Sequence, residues 1–171
     1  MSAANPVMGT SVVRLPVETT TEEREHHMSH PIQHPALSHD ITLSCLDPWG
    51  RTVDVPTTLG YREEDPYAVS LTFHSHSGDV EWVVSRTLLL QGLASPAGEG
   101  DVKVYPSIDE RARAVAVLDF SSPDGRLVAT TSSREIQGFL AKTFAAVPVG
   151  TESRHLDLDG LIEALLGSET E

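Results

Sequence analysis

"DPYAVSLTFHSHSGDVEWVVSRTLLLQGL", residues 65–93, holds the alternation that decides the fold. Successive strand side chains point to opposite sides, so Tyr67, Val69, Leu71 and Phe73 share one face, and Ala68, Ser70, Thr72 and His74 share the other. His76 joins that second face if the strand runs on. "SGD" at 77–79 turns the chain, and Val80, Trp82 and Val84 alternate on the way back, which predicts a β-hairpin. "RTLLLQGL" then loses the two-residue period and predicts a short helix, with Gly92 as a left-handed cap.

The flanks extend this pattern. Upstream, "ITLSCLD" alternates Ile41, Leu43 and Cys45 with Thr42 and Ser44, a half-buried strand followed by the turn "DPWGR". "TVDVPTTLGY" continues extended, and Pro56 predicts an edge strand or a bulge there, because proline cannot donate to a ladder. Downstream, "ASPAGEG" reads as a loop and "DVKVYP" as a strand with Val102 and Val104 on one face. "RARAVAVLDF" is apolar on both faces from Ala114 to Leu118 and predicts a central strand. "SSPDG" turns the chain into the strand "RLVATT". Ser132 and Glu135 have capping-box spacing, and Ile136, Phe139, Leu140, Phe144 and Val147 follow on one helical face. Asp157 or Asp159 caps a last helix carrying Leu161, Ile162, Leu165 and Leu166. Strands followed by a helix, twice, with a terminal helix added, predict an α+β fold with antiparallel pairing.

Residues 1–40 carry the polar run "ETTTEEREHHMSH" and almost no hydrophobic periodicity, which predicts a flexible tail ahead of one folded domain, residues 41–171. The formal charge is −13, from 25 acids against 12 bases. Nucleic-acid backbones and anionic membrane surfaces need clustered Lys and Arg, so neither is an expected partner. Cys45 is the only cysteine, which suits a reducing cytoplasm better than secretion. No membrane-span or signal-peptide pattern is present.

Several residues suggest chemistry at first sight. His74 and His76 with Asp79 and Glu81 place imidazoles near carboxylates, but two ligands do not hold a metal, and no Cys pair or H-E-x-x-H spacing supplies a third. His26, His27, His30 and His34 are dense, yet Pro31 and Pro35 forbid the helix that would align them. Cys45 lies on the apolar face of a strand, where it reads as a small hydrophobe. "AGEG" lacks the end of a phosphate-binding loop, and "LDLDG" misses calcium-loop spacing and reads as a helix start. Trp49 sits in a turn as an exposed contact residue, whereas Trp82 reads as core. The expectation is therefore no catalytic, cofactor-binding or metal residue.

Taken together, "DPYAVSLTFH", "VEWVVSRTLLLQGL", "SPAGEGDVKVYP", "SSPDGRLVAT" and "FLAKTFAAVPVGTESRHLDLDGLIEALL" resemble, in order and spacing, the SsgA-like sporulation and cell-division regulators of actinobacteria. The resemblance covers about residues 41–167. Thr87, Tyr105 and Lys142 stand where family members usually carry an acid, a Trp and an Arg. What the resemblance implies is a Whirly-like, SsgB-like fold of two antiparallel sheets packed crosswise with C-terminal helices, assembled as a homotrimer. It also implies a non-enzymatic scaffold at the septum, partnered by FtsZ or another SsgA-like protein. A single-stranded nucleic-acid-binding module is the alternative that the fold analogy alone raises; the acidity of the chain opposes it.

Overall fold

The structure is a computed structural model, and it describes residues 36–47 and 49–167. Residues 1–35, with the four tail histidines, and Pro48 lie outside the described residues. Seven strands and three α-helices follow the expected rhythm: β1 (Leu37–Leu46), β2 (Thr52–Tyr61), β3 (Ala68–Phe73), β4 (Val80–Ser85), α1 (Arg86–Gly92), β5 (Val102–Ile108), β6 (Ala114–Ser122), β7 (Gly125–Ser132), α2 (Ser133–Ala146) and α3 (Leu158–Gly167). A short 3-10 turn, Glu152–His155, links α2 to α3. β1 thus begins four residues before Ile41, inside the segment whose composition predicts a tail.

The strands form one antiparallel sheet, in the order β4-β3-β2-β1-β7-β6-β5, and not the two sheets that the resemblance implies. The joint between its halves is short: β1 meets β7 only at Ser44↔Thr130 and Cys45↔Ala129. Four inter-strand steps separate β3 from β6, about 19 Å in a flat sheet. Yet the Phe73 and Phe120 rings meet edge to face at 5.5 Å, and Trp82 of β4 lies 5.1 Å from Phe120. The sheet therefore curls until its two halves face one another across a shared core. Leu43, Leu59, Val69, Leu71, Val104 and Leu118 line that core, with Leu89 of α1 and Ile136, Phe139 and Leu140 of α2 packed in.

Local chemistry explains where elements end, and corrects two expectations. Gly92 is not a left-handed cap: the residue after α1, Leu93, has φ −72°, and a Cβ at Gly92 would collide with the Val104 side chain. Glycine is needed there because helix and strand approach too closely for any other residue. The α1 cap is Ser85, whose hydroxyl accepts the Leu88 N–H. Pro56 causes no bulge: β1 and β2 stay in register from Leu37↔Tyr61 to Leu46↔Thr52. A strand residue points its N–H and C=O to the same neighbour, and the Pro56 carbonyl accepts from His74 N just past the end of β3. Its missing donor therefore falls on the β3 side, opposite His74 just past the end of that strand, and β2 sits inside the sheet between β1 and β3 and is not an edge strand.

The remaining assignments follow the periodicity. Ser122↔Gly125 closes the β6–β7 hairpin over Pro123 and Asp124, and Ser132 accepts the Arg134 N–H at the start of α2. Ile136, Phe139, Leu140 and Val147 are buried as their spacing predicts. Glu135 does not complete the capping box; its carboxylate holds His39 Nε2 at 2.7 Å.

Candidate interaction surfaces

The turn between β1 and β2 carries an exposed aromatic, Trp49. Asp47 Oδ1 accepts the backbone N–H groups of Trp49 and Arg51, and Oδ2 accepts Arg51 Nε at 2.7 Å. Partial desolvation works against ionisation of Asp47, but these donors outweigh it and hold the carboxyl below its ordinary range. The Arg51 guanidinium stacks 5.1 Å from the Trp49 ring centroid. Trp49 is 76% exposed; Leu46 and Val53, on opposite faces of the β1–β2 ribbon, are also exposed.

On the outer face of the β1–β3 region runs a polar row. Thr58 Oγ1 donates to Asp40 Oδ1 and contacts His74 Nε2 at 2.8 Å, and His74 Nδ1 lies 3.0 Å from Asp79. Both ring nitrogens of His74 are thus engaged by protein groups. β3 ends at Phe73, so the alternation that would align His76 with His74 stops short; His76 sits exposed in the turn, and Glu81 is exposed on β4. Among the described residues, no three His, Cys, Asp or Glu side chains group as metal ligands.

A buried ionic node, which periodicity along the chain does not reveal, ties three segments together. Arg86 is 1% exposed; its Nη1 donates to the Tyr61 hydroxyl and to the Thr143 and Val147 carbonyls, and its Nη2 to Glu152 Oε1 at 2.8 Å. The guanidinium also lies 4.4 Å from the Phe144 ring centroid. The Glu152 carboxyl is held below its ordinary range by a backbone hydrogen bond at its own position, against burial, with Gly150 N and Arg86 adding to the effect. The Val147 and Thr143 carbonyls belong to the end of α2, where a cation also suits the helix dipole. The node fixes the chain that leads into α3.

Helix α3 starts where "LDLDG" predicts, with Asp157 Oδ1 accepting the Gly160 N–H. Its apolar residues Leu158, Leu161, Ile162, Leu165 and Leu166 are each more than half exposed, instead of joining the core. Asp157, Asp159 and Glu163 are exposed with them. "AGEG" borders an open cleft lined by Gln91, Glu99, Lys103 and Tyr105, and no helix opens from it. Cys45 is buried, and burial first, then the Asp54 charge, pushes its thiol pKa up. No helix among the described residues is long and apolar enough to cross a membrane.

Comparison with known proteins gives one consistent answer. The family described as Streptomyces sporulation and cell division protein, SsgA, matches residues 55–152. The sporulation-specific cell division protein SsgB of Kineococcus radiotolerans is 40% identical over 148 residues, spanning 82% of this chain and 90% of its own length. SsgB of Streptomyces coelicolor is 44% identical over 116 residues, spanning 67% of this chain and 84% of its own. The solved SsgA-like sporulation-specific cell division protein of Thermobifida fusca superposes with a TM-score of 0.68 at 31% identity, covering 77% of this chain and 96% of that one. A second solved structure, described by the finding that mutations in SsgB correlate to longitudinal cell division during sporulation of Streptomyces coelicolor, superposes at 0.65 with 41% identity, covering 69% and 93%.

Proposed function

The chain belongs to the SsgA family of sporulation and cell division proteins, and from that premise we propose that it is a non-enzymatic scaffold of sporulation-specific septation. It acts at the septum, in septum placement or septal wall growth, by docking division proteins such as FtsZ or another SsgA-like protein. The observation that carries this reading is the 40% identity to a sporulation-specific cell division protein across 82% of the chain. The surface described above supports docking over chemistry: His74 is engaged on both nitrogens, Arg86 is enclosed in a structural node, and Trp49 and α3 present apolar groups outward. Interfaces take much of their energy from a few aromatic anchors such as Trp49.

In this reading residues 41–171, together with Leu37–Asp40 at the start of β1, act as one docking unit, a variant of the Whirly-type architecture, and the unit works as a homotrimer in the cytoplasm. A fluorescent fusion to the full chain is expected to collect at nascent septa in sporulating hyphae, and purified FtsZ to bind the purified chain. Diffuse fluorescence throughout septation, together with no binding of FtsZ or of a second SsgA-like protein, would overturn the scaffold reading. Salt-sensitive retention of single-stranded DNA on a filter would favour the nucleic-acid alternative instead.

A further inference from the structure

Helix α3 turns a core-type face outward. Leu158, Leu161, Ile162 and Leu166 recur at i, i+3, i+4 and i+8, the spacing of a helix that packs on a core, yet each is more than half exposed. The charged residues of this helix are acids only: Asp159 borders the face and Glu163 follows one turn on. Among the described residues no cation pairs with either. The start of β1 lies within reach of this face. Leu37 pairs with Tyr61; Glu63, two residues on, lies 3.9 Å from His155 Nδ1, and α3 begins three residues after His155. These steps keep Leu37 within about 40 Å of Leu158, because the chain advances at most about 3.6 Å per residue. Val17 stands twenty residues before Leu37, and that length of chain spans up to about 66 Å.

We propose that residues 7–17, "VMGTSVVRLPV", cover the apolar face of α3 in the same chain. Val7, Met8, Val12, Val13, Leu15 and Val17 make this the most apolar run of residues 1–35, and Arg14 is its one charge. Beyond it Met28 and Ile32 stand singly among polar residues. An apolar run without periodicity builds no core of its own, but it can bury surface against a stripe that is already formed. Its aliphatic side chains match those of α3, and Arg14 brings the cation that Asp159 and Glu163 lack. The α3 helix of a second copy would instead set acid against acid. Tethering favours the same chain further, since a linked segment meets its site at an effective concentration that a free partner has to exceed. A partner that uses α3 must therefore displace residues 7–17, which lowers its apparent affinity. Neither the septal scaffold reading nor this contact requires the other.

The test is hydrogen–deuterium exchange, read by mass spectrometry on the full chain at low micromolar concentration. In wild type the α3 amides are expected to be protected. V12D/V13D should raise their exchange roughly tenfold or more, because two covered apolar side chains are lost, while unchanged β-strand amides show that the fold is intact. R14E should raise it roughly threefold, the scale of an exposed ion pair, and R24E, outside the run, should leave it unchanged. Protection should be the same at every protein concentration. Wild-type α3 amides that exchange freely, or protection that survives V12D/V13D, would overturn the proposal. Equal losses from R14E and R24E would reduce the contact to bulk charge and also overturn it. Protection that grows with concentration would assign the face to a second copy, and protection that arises only on adding purified FtsZ would assign it to that partner; each outcome sinks the contact within one chain. Failure of the fusion to collect at septa would leave all of these readouts untouched.

Discussion

Arg86 is a charged residue enclosed in the core, 1% exposed. It satisfies two end-of-helix carbonyls, a tyrosine hydroxyl and a carboxylate from within the core, and its Glu152 partner lies 66 residues along the chain. Removing one member of a buried pair leaves the other without its counter-charge, so Arg86→Met is expected to lose about 3–5 kcal/mol, read as a lower urea midpoint. Arg86→Lys should recover little of this, because one ammonium cannot reproduce the planar fork. The same node predicts a pH dependence. The folded state lowers the pKa of Glu152, chiefly through the backbone hydrogen bond at its own position. A lowered folded-state pKa gives stability that is whole at neutral pH and is lost as pH falls through and below the ordinary glutamate value of about 4.3. Urea titrations at a series of pH values should show that slope, and Glu152→Gln should flatten it. A variant with an unchanged slope would place the acid sensitivity elsewhere, with Asp119, held low by its Arg126 hydrogen bond, the next candidate.

At the scale of elements, one loop is built twice. In Asp47–Arg51 and again in Asp109–Arg113, the aspartate Oδ1 accepts two backbone N–H groups, Oδ2 accepts the arginine Nε at 2.7 Å, and the fourth residue donates its N–H to the aspartate carbonyl. That fourth residue is left-handed in both: Gly50 at φ 77° and Ala112 at φ 57°. A side chain costs about 1–2 kcal/mol in this conformation. Gly50→Ala is therefore expected to lose about 1 kcal/mol. Ala112→Gly should gain less than that, since glycine also adds freedom to the unfolded chain. Thermal melts of the two variants check both signs. The first loop was legible in the sequence because "DPWGR" carries Pro and Gly. The second was not, since Arg111–Arg113 continue the strand-like run "RARAVAVLDF" with no glycine to mark a turn. The helix α2 was legible because a cap and a 3.6-residue apolar period agree over fourteen residues. Gly92 was misread for the opposite reason: its cause is Val104, a contact outside its own helix.

At the scale of the whole molecule, what the sequence pattern could not show is the curl. Alternation tells which face of each strand is apolar, but it does not tell whether seven such faces form two sheets or one sheet bent over itself. Nor could it show that the apolar face of α3 is left outside the core, since the helical period is the same in either case. The narrow β1–β7 joint raises the question of whether the halves melt separately. Thr130 Oγ1 adds one hydrogen bond to the Ser44 carbonyl there, which is a small reinforcement. The stronger link is Phe120, which touches Phe73 of β3 and Trp82 of β4 across the core. Burial of one ring against both distant strands couples the halves, so unfolding is expected to be a single transition. With Trp49→Phe as background, Trp82 becomes the only indole, and its fluorescence reports the β4 half while far-UV circular dichroism reports both. The two denaturation curves should coincide. Adding Phe120→Ala should shift both by about 3–5 kcal/mol, the usual cost of emptying such a site. If Trp82 fluorescence instead changes at lower denaturant than the dichroism, in the background or only after Phe120→Ala, then the two halves are separate cooperative units joined by the short seam, and the shared core does not unify the fold.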